Sequence, residues 1–569
     1  KMYSEKIKKE YERWCEKAED ADVAAELKSI AEDKDAQEDA FYRDLEFGTG
    51  GLRGVLGAGT NRMNVYTVAK ASQGLADYVC KHDPEGKRSI AISRDSRIKS
   101  EDFAKIAAGV FAANGIRTYI YKELMPTPCA SYAIRALSCS AGIMVTASHN
   151  PSKYNGYKVY GPDGCQITTE GAEEVLAEIE KLDVFDDVKR IDFEEGLASG
   201  MISYLDDKVY TDFTEEVKAQ SVLYGDEIDK NVSIVYTPLN GSGLKPVLRA
   251  LKESGYTNIT VVKEQEQPDG HFPTCPYPNP EIKEAMALGM EYAAKCNADL
   301  LLATDPDSDR VGIAVRDDKG IAGNKGEYVL LTGNETGILL LDYICSQRKK
   351  HDKMPEDPVL IKTIVTIDMA DRIAADYGVR TINVLTGFKF IGEQILMLER
   401  KGHEDSYIFG FEESYGYLSG SYVRDKDAVD GAFMICEMFA YYKTRGIGLL
   451  DKLNELYTRY GHCLNKTYSY EFDGSAGFEK MQDIMNDMRK GVSVIGPKKV
   501  LKSLDYAEGF DGLPKSNVLK YLLEDNCSVV VRPSGTEPKL KFYISVSADS
   551  KDACAAVSDE IKHALEKYL

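Results

Sequence analysis

An α/β protein of several domains is what this sequence predicts. Short apolar runs end in polar, glycine-bearing loops, and segments of helical period alternate with those runs. The alternation starts afresh near Asn231 and again near Asn324 before a smaller, strand-rich unit closes the chain. With 569 residues and about 100 to 200 residues per domain, roughly three to five domains are expected. A hydrophobic fraction of 43% with 29% charged residues is that of a globular chain and excludes disorder.

Residues 1–46 read as a helical extension with Tyr3, Ile7, Tyr11 and Trp14 on one face, which either clips onto the next domain or docks a partner. A glycine-rich turn follows, Phe47-Gly-Thr-Gly-Gly-Leu-Arg53-Gly54. Its backbone can approach an anion closely and Arg53 can pair with it, although no Walker lysine is present. Helical pattern over 65–80 and 102–114 then alternates with strand-like Ser89 to Ser93 and Arg117 to Tyr121, as in a doubly wound sheet.

The next apolar run, Gly142 to Val145, delivers Thr146, Ser148, His149, Asn150 and Pro151 at its C-terminal end, the edge where open α/β sheets bind ligands. With His149 beside it and Lys158 ten residues on, Ser148 suits a hydroxyl that gains and loses a phosphoryl group, because the negative charge is balanced in both states. The string also reads as an ordinary Asn-Pro turn.

A further strand, ending at Thr304, delivers Asp305, Asp307 and Asp309 at alternate positions, followed by Arg310. Three carboxylates crowded after an apolar strand repel one another unless a cation joins them, and their oxygens suit Mg²⁺ or Ca²⁺. An EF-hand is excluded, since its glycine and its twelfth-position glutamate are replaced by Arg310 and Arg316. In the third stretch Tyr407 to Gly410 runs into Glu412-Glu-Ser414, acceptors for sugar hydroxyls that equally read as an acidic helix start. Beyond a linker expected near 456–468, Arg532-Pro-Ser534-Gly535-Thr536 sits between two strands and offers a guanidinium, two hydroxyls and a glycine-flanked backbone to an anion. The expected units are 1–46, 47–205, 206–323, 324–460 and 461–569.

A net charge of -21 and a pI near 5.0 argue against nucleic acid, whose phosphates need clustered Lys and Arg. Twelve cysteines are scattered singly, Cys129 and Cys139 being nearest, so neither a zinc pattern nor a disulfide framework is visible and a reducing cytoplasm is expected. No membrane partner is expected. The most hydrophobic stretch, Tyr328 to Cys345, is broken by Gly333, Asn334 and Glu335, and the charged opening does not read as a signal peptide.

In this order the four loops resemble the α-D-phosphohexomutase superfamily over nearly the whole chain. Its phosphoserine, metal, sugar and phosphate loops match Thr146 to Pro151, Asp305 to Arg310, Gly410 to Gly416 and Arg532 to Lys539. Gly48-Thr-Gly-Gly-Leu-Arg-Gly54, Thr386-Gly-Phe-Lys-Phe390 and Glu412-Glu-Ser414 are most similar to the longer phosphoglucomutase branch, related to phosphopentomutase and glucose-1,6-bisphosphate synthase.

The resemblance implies three similar mixed α/β domains plus a smaller C-terminal α+β domain around a central cleft, the last domain rotating to close it. It implies an intramolecular phosphotransferase that interconverts glucose 1-phosphate and glucose 6-phosphate through phosphorylated Ser148, with glucose 1,6-bisphosphate as intermediate and activator. Mg²⁺ would sit on Ser148, Asp305, Asp307 and Asp309. Arg53, His149 and Lys158 are the implied proton handlers, unranked. Arg310, Thr386, Gly387, Lys389, Glu412, Ser414 and Lys426 would face the phosphosugar, and Arg532, Ser534, Gly535 and Thr536 would hold the phosphate that is not reacting. Phosphopentomutase, phosphomannomutase and bisphosphate synthase chemistry share these motifs and stay open, as does a monomer or a dimer. A non-catalytic phosphosugar binder is disfavoured because every reactive position is intact, and a serine hydrolase because Ser148 lacks its Gly-x-Ser-x-Gly elbow.

Overall fold

A strand buried on both faces reads as an unbroken apolar run, and Ala141–Val145, Ile234–Thr237, Leu300–Thr304 and Val359–Thr363 are buried at every position. In a computed structural model, which describes residues 3–48, 50–535 and 537–569, these strands lie inside three mixed sheets. The first sheet is ordered Gly51–Val55, Tyr154–Tyr160, Ala141–Val145, Ser89–Arg94, Arg117–Ile120, Ile202–Tyr204. Its last four strands are parallel, while the second runs antiparallel to both of its neighbours.

The second sheet is ordered Tyr328–Leu331, Val311–Arg316, Leu300–Thr304, Ile234–Thr237, Ile259–Val261, and the third Arg380–Val384, Val359–Thr363, Tyr407–Glu412, Gly416–Leu418. All three share one device: a strand of the parallel core turns straight back into an antiparallel neighbour, at 145 to 154, 304 to 311 and 412 to 416. The turn of each hairpin is a loop that the sequence marks for chemistry. The fourth sheet is antiparallel throughout and of six strands, and the same device recurs between Ser528–Pro533 and Lys539–Ala548. Helices Gly474–Arg489 and Lys551–Glu566 pack Met485 and Ile561 with Val529, Phe542 and Val546 of that sheet.

Two boundaries fall differently from the sequence reading. The third unit is expected from residue 324, yet the glycines at 320, 323 and 326 lie in a hairpin turn, and Tyr328–Leu331 pairs with Val311–Arg316 in the second sheet. The linker expected near 456–468 is helix Leu449–Tyr460 running through Gly461 into strand His462–Glu471, whose ten residues carry too little apolar alternation to be read as a strand.

The N-terminal extension is three helices, Glu5–Lys17, Ala21–Ser29 and Lys34–Phe41, capped by Ser4, Asp20 and Asp33. Trp14, fully buried, meets Phe41, Tyr66 and Phe185 edge-on at centroid distances of 5.6, 5.5 and 5.1 Å, so the apolar face clips onto the first domain. The extension also braces the chain just beyond the strand that carries Arg53, because Glu26 Oε2 accepts the Ala58 N–H at 2.8 Å.

The fourth domain is fastened to the third by Asp368. Lys520 Nζ donates to Asp368 Oδ1 at 2.9 Å and to the Ile364 carbonyl at 2.8 Å, while the Ser528 hydroxyl donates to Asp368 Oδ2. Burial pushes the Asp368 pKa up, but the charges of Lys520 and Lys362 and the Ser528 hydrogen bond prevail and hold it at about 2. With the folded pKa depressed, this contribution to stability is complete above the ordinary carboxylate value of about 4 and is lost as pH falls through about 2. Asp368→Asn leaves Lys520 buried without its counter-charge and should weaken the interface by on the order of 3 kcal/mol. Limited proteolysis should then cut between residues 460 and 475 at neutral pH, and a variant as resistant as the parent chain would show that Asp368 does not fasten this domain.

Candidate active site

The Ser148 loop is held by a buried network that the sequence reading did not single out. Arg97 reaches under the loop. Its Nη2 donates to the carbonyls of Ser148 and Asn150 at 2.8 and 2.6 Å, and its Nη1 to those of Pro151 and Tyr154 at 3.0 and 3.1 Å. Asp95 fixes Arg97 in turn. Its carboxylate accepts the Arg97 N–H at 3.0 Å, the Ser100 hydroxyl at 2.8 Å and the Thr146 hydroxyl at 2.6 Å, and the Ser148 N–H donates to Thr146 Oγ1 at 2.9 Å. From the second domain Phe272 closes over the Arg97 guanidinium at 5.2 Å. This scaffold keeps Ser148 at φ 56, a left-handed conformation that a serine adopts only under such constraint.

Ser148 Oγ lies 3.1 Å from His149 Nδ1. Burial, and then the charges of Arg310 and Arg53, push the His149 pKa down to about 2, so its ring is neutral at working pH. Arg53 Nη1 donates to Asn150 Oδ1 at 3.3 Å, which brings the glycine-rich turn to the serine loop. The tightest glycine of that turn serves packing: a Cβ on Gly51 would stand 2.0 Å from the Tyr157 carbonyl oxygen. Arg53 can thus share an edge with Lys158, whose strand pairs with Gly51.

Asp305, Asp307 and Asp309 are completely buried, and each offers an oxygen within 4.8 Å of the others. In Asp305, Oδ1 accepts the N–H groups of Asp309 and Arg310 at 3.1 Å each, leaving Oδ2 without a partner among the described residues. In Asp307, Oδ2 accepts the Thr127 hydroxyl at 2.7 Å and Lys158 Nζ at 3.2 Å, leaving Oδ1. Asp309 Oδ2 is ion-paired with Lys426 at 3.1 Å and Lys158 at 3.5 Å, and Oδ1 is bare. Each aspartate thus keeps an unpartnered oxygen among the described residues in a buried, closely spaced cluster, a donor set that fits a hard divalent cation, and the triad is able to hold a metal ion. Burial beside two like charges drives the Asp305 pKa well above its ordinary value, which shows how strained the cluster is by itself.

Cations ring this cluster. Lys158 keeps its charge because Asp307 and Asp309 outweigh its burial. Lys426, expected to face the sugar, is ion-paired with Asp309, lies within reach of the Glu412 charge and sits 6.0 Å above the Phe388 ring. Arg310 Nη1 pairs with Glu281 at 3.1 Å while its Nε is buried without a partner among the described residues. Glu281 closes a proline-rich turn, Pro276-Tyr-Pro-Asn-Pro280, and only that rigid run hints at it in the sequence.

Glu412, nearly buried at the end of its strand, feels both Lys426 and Arg310, whereas Glu413 turns away to accept the Thr363 and Thr366 hydroxyls at 3.3 and 3.1 Å. Ser414 Oγ donates to Glu413 Oε1 at 3.3 Å. Gly387 caps helix Phe388–Arg400 at φ 121, which a side chain would disfavour, and Thr386 Oγ1 beside it is buried without a partner among the described residues. Burial lowers the Lys389 pKa to about 8.

The fourth loop stands at the far side of this group. Arg532 lies 5.9 Å over the Tyr543 ring with its Nε unpartnered among the described residues, the Ser534 N–H donates to the Lys539 carbonyl at 2.8 Å, and Gly535 borders open space. The charge of Glu413, in the third domain, reaches Lys541 and Tyr543 on the strand that follows this loop. Thr536 lies outside the described residues.

Family models agree with this architecture. Phosphoglucomutase/phosphomannomutase alpha/beta/alpha domains I, II and III match residues 44–184, 209–320 and 332–460, and the C-terminal domain of the same family matches 480–564. A phosphoglucomutase of Staphylococcus haemolyticus strain JCSC1435 is 35% identical over 526 residues, covering 90% of this chain and 92% of that protein. One from Staphylococcus aureus strain MSSA476 is 34% identical over 556 residues, covering 96% and 97%. Among solved structures, the open form of pp63/parafusin, a phosphoglucomutase from Paramecium, superposes with a TM-score of 0.70 at 17% identity over 92% of this chain and 95% of that one. A putative phosphomannomutase from Thermus thermophilus gives 0.68 at 21% over 92% and 99%. At those identities the two structures speak for the fold.

Arg97→Lys tests the scaffold, because one ammonium cannot span four carbonyls in the plane that a guanidinium fork reaches. Amide hydrogen exchange across residues 147–152 should quicken by at least about tenfold while the helices keep their protection. Unchanged exchange in that loop would remove Arg97 from the role described.

Proposed function

Since the chain belongs to the phosphoglucomutase/phosphomannomutase family, we propose that it is a phosphoglucomutase, interconverting glucose 1-phosphate and glucose 6-phosphate through phosphorylated Ser148 and a glucose 1,6-bisphosphate intermediate. The observation that carries this reading is the meeting of Ser148, three bare carboxylate oxygens and the lysines Lys158 and Lys426 at one junction, in a chain with phosphoglucomutase relatives at 34–35% identity over most of its length.

In the forward step the bond between phosphorus and Ser148 Oγ breaks, a sugar hydroxyl oxygen bonds to the phosphorus, the hydroxyl proton is lost and Ser148 regains one. Asp305, Asp307 and Asp309 would hold Mg²⁺, which when bound offsets charge on the transferring phosphoryl oxygens. Lys158 and Arg310 supply fixed positive charge in a largely dry site, where it costs no reorganisation as the phosphoryl moves.

His149 Nδ1, 3.1 Å from Ser148 Oγ, would exchange a proton with it. Its neutral ring is a weak base among three arginines, and a phosphoryl group of charge about −1.5 to −2 on Ser148 would offset those cations and make it a stronger one. Glu412 would accept sugar hydroxyls, with Ser414 and Lys389 nearby in the third domain. Arg532, Ser534 and Gly535 would hold the phosphate at the other end, so that the intermediate can turn around while one loop serves both orientations.

A coupled assay with Mg²⁺ and a trace of glucose 1,6-bisphosphate, offering the 1-phosphates of glucose, mannose and ribose, tests the reading. The glucose ester should be converted fastest; preference for mannose or ribose would move the assignment within the family, and silence on all three would defeat a mutase. Ser148→Ala should lower kcat at least about 10³-fold with circular dichroism unchanged, and intact mass should show a phosphoryl group that the variant lacks.

The pH profile offers a separate check. Burial raises the Glu412 pKa, Lys426 and Arg310 pull it back, and it settles at about 7. As pH falls through about 7 the carboxylate is protonated and loses acceptor capacity, so kcat/KM should fall on the acid side, and Glu412→Gln should flatten that limb. A limb that persists in the variant belongs to another group.

A further inference from the structure

The metal loop belongs to the second domain, yet its geometry is set from the first. Thr127, completely buried, opens helix Thr127–Ala136 and is flanked by Pro126 and Pro128. Its hydroxyl donates to Asp307 Oδ2 at 2.7 Å, and its N–H donates to the Asp307 carbonyl at 2.9 Å. Both ends of one aspartate, side chain and main chain, are therefore gripped by one residue 180 positions earlier in the chain.

Pro128 has no N–H of its own, the Cys129 N–H is taken by the Pro126 carbonyl at 3.0 Å, and Pro126 is extended at φ -56 and ψ 155. From the opposite side the third domain grips the neighbouring residue, the Ala428 N–H donating to the Ser308 carbonyl at 3.1 Å. Asp307 Oδ2 is occupied by Thr127 and Lys158, which leaves Oδ1 without a partner among the described residues, in a triad whose ligand atoms lie within 4.8 Å of one another.

We propose that Thr127 is a positioning residue for the cation site, orienting the Asp307 carboxylate across the boundary between the first two domains, so that the affinity of the second domain's loop for a divalent cation depends on the first domain being docked. The proposal rests on the triad being the cation site. Partners that orient a ligating group commonly change metal affinity by about 10- to 100-fold when removed. Lys158 cannot replace the threonine, because it is shared with Asp309 and approaches Asp307 Oδ2 at the longer 3.2 Å.

Thr127→Val keeps the volume and the main-chain N–H and removes only the hydroxyl. Binding of Mn²⁺ to full-length protein, followed by the loss of the free-ion electron paramagnetic resonance signal and needing no turnover, should weaken by about 10- to 100-fold in Thr127→Val. Thr127→Ser should recover most of the parent affinity. Asp307→Asn serves as the control for the site itself.

If Asp307→Asn abolishes binding while Thr127→Val binds as the parent does, the triad stands and the role given to Thr127 is overturned. If Thr127→Ser is as weak as Thr127→Val, the hydroxyl is not what orients the carboxylate and the proposal fails. If the parent chain takes up no Mn²⁺, or Asp307→Asn binds unchanged, the triad is not the site and the proposal falls with it. Thermal melts in a metal chelator separate a loss of affinity from a loss of fold: each variant should still unfold cooperatively above the temperature of the binding measurement, even where loss of the hydroxyl lowers the midpoint.

Discussion

Three carboxylates buried within 4.8 Å of one another are the constraint around which the molecule is arranged. Like charges in a space without water raise each other's free energy steeply, and a fold can keep them only by bringing cations and donors to the same point. The triad is supplied by one domain. Its relief comes from two others, Lys158 and Thr127 from the first and Lys426 from the third. The site is thus a point of charge balance shared by three sheets, whose buried residues also join in one hydrophobic core. The overall charge of -21 conceals this gathering of Lys158, Lys426 and Arg310 around the aspartates.

Much of the site was legible in the sequence because each hairpin turn puts its chemistry in consecutive residues. Ser148 with His149, the alternating aspartates and the Arg532 run each announce a function within a few positions. What stayed hidden is whatever supports them at long range. Arg97 and Asp95 lie some fifty residues before the loop they hold, and Thr127 looks like an ordinary first helical residue between two prolines. Lys426 was legible as a functional position, but a lysine in the charge run from Arg424 to Asp427 gives no sign that it will pair with Asp309 of another domain. The fold class was readable from buried strands, whereas the hairpin closed at Gly320 to Gly326 was not, because glycine-rich turns and glycine-rich linkers have the same composition.

Each loop also pairs a mobile requirement with a rigid support. Ser148 sits in a strained backbone conformation held by four hydrogen bonds from one guanidinium, so its oxygen is presented without having to be ordered when substrate arrives. The fourth loop, by contrast, borders open space at Gly535 and is tied to the third domain at a distance, through Asp368 and Lys520. The first domain's loop is thus held on several sides, while the last domain's borders open space.

The dispersal of the triad's counter-charges along the chain sets a clock on the making of the protein. Lys158 and Thr127 precede the aspartates, but Lys426 follows Asp309 by roughly 120 residues. At a synthesis rate of about 5 to 20 residues per second, the three aspartates leave the ribosome about 6 to 24 seconds before their last cation exists. During that interval the second domain carries its heaviest electrostatic burden with only part of its relief, and divalent ions in the surrounding solution are the nearest substitute for the missing lysine.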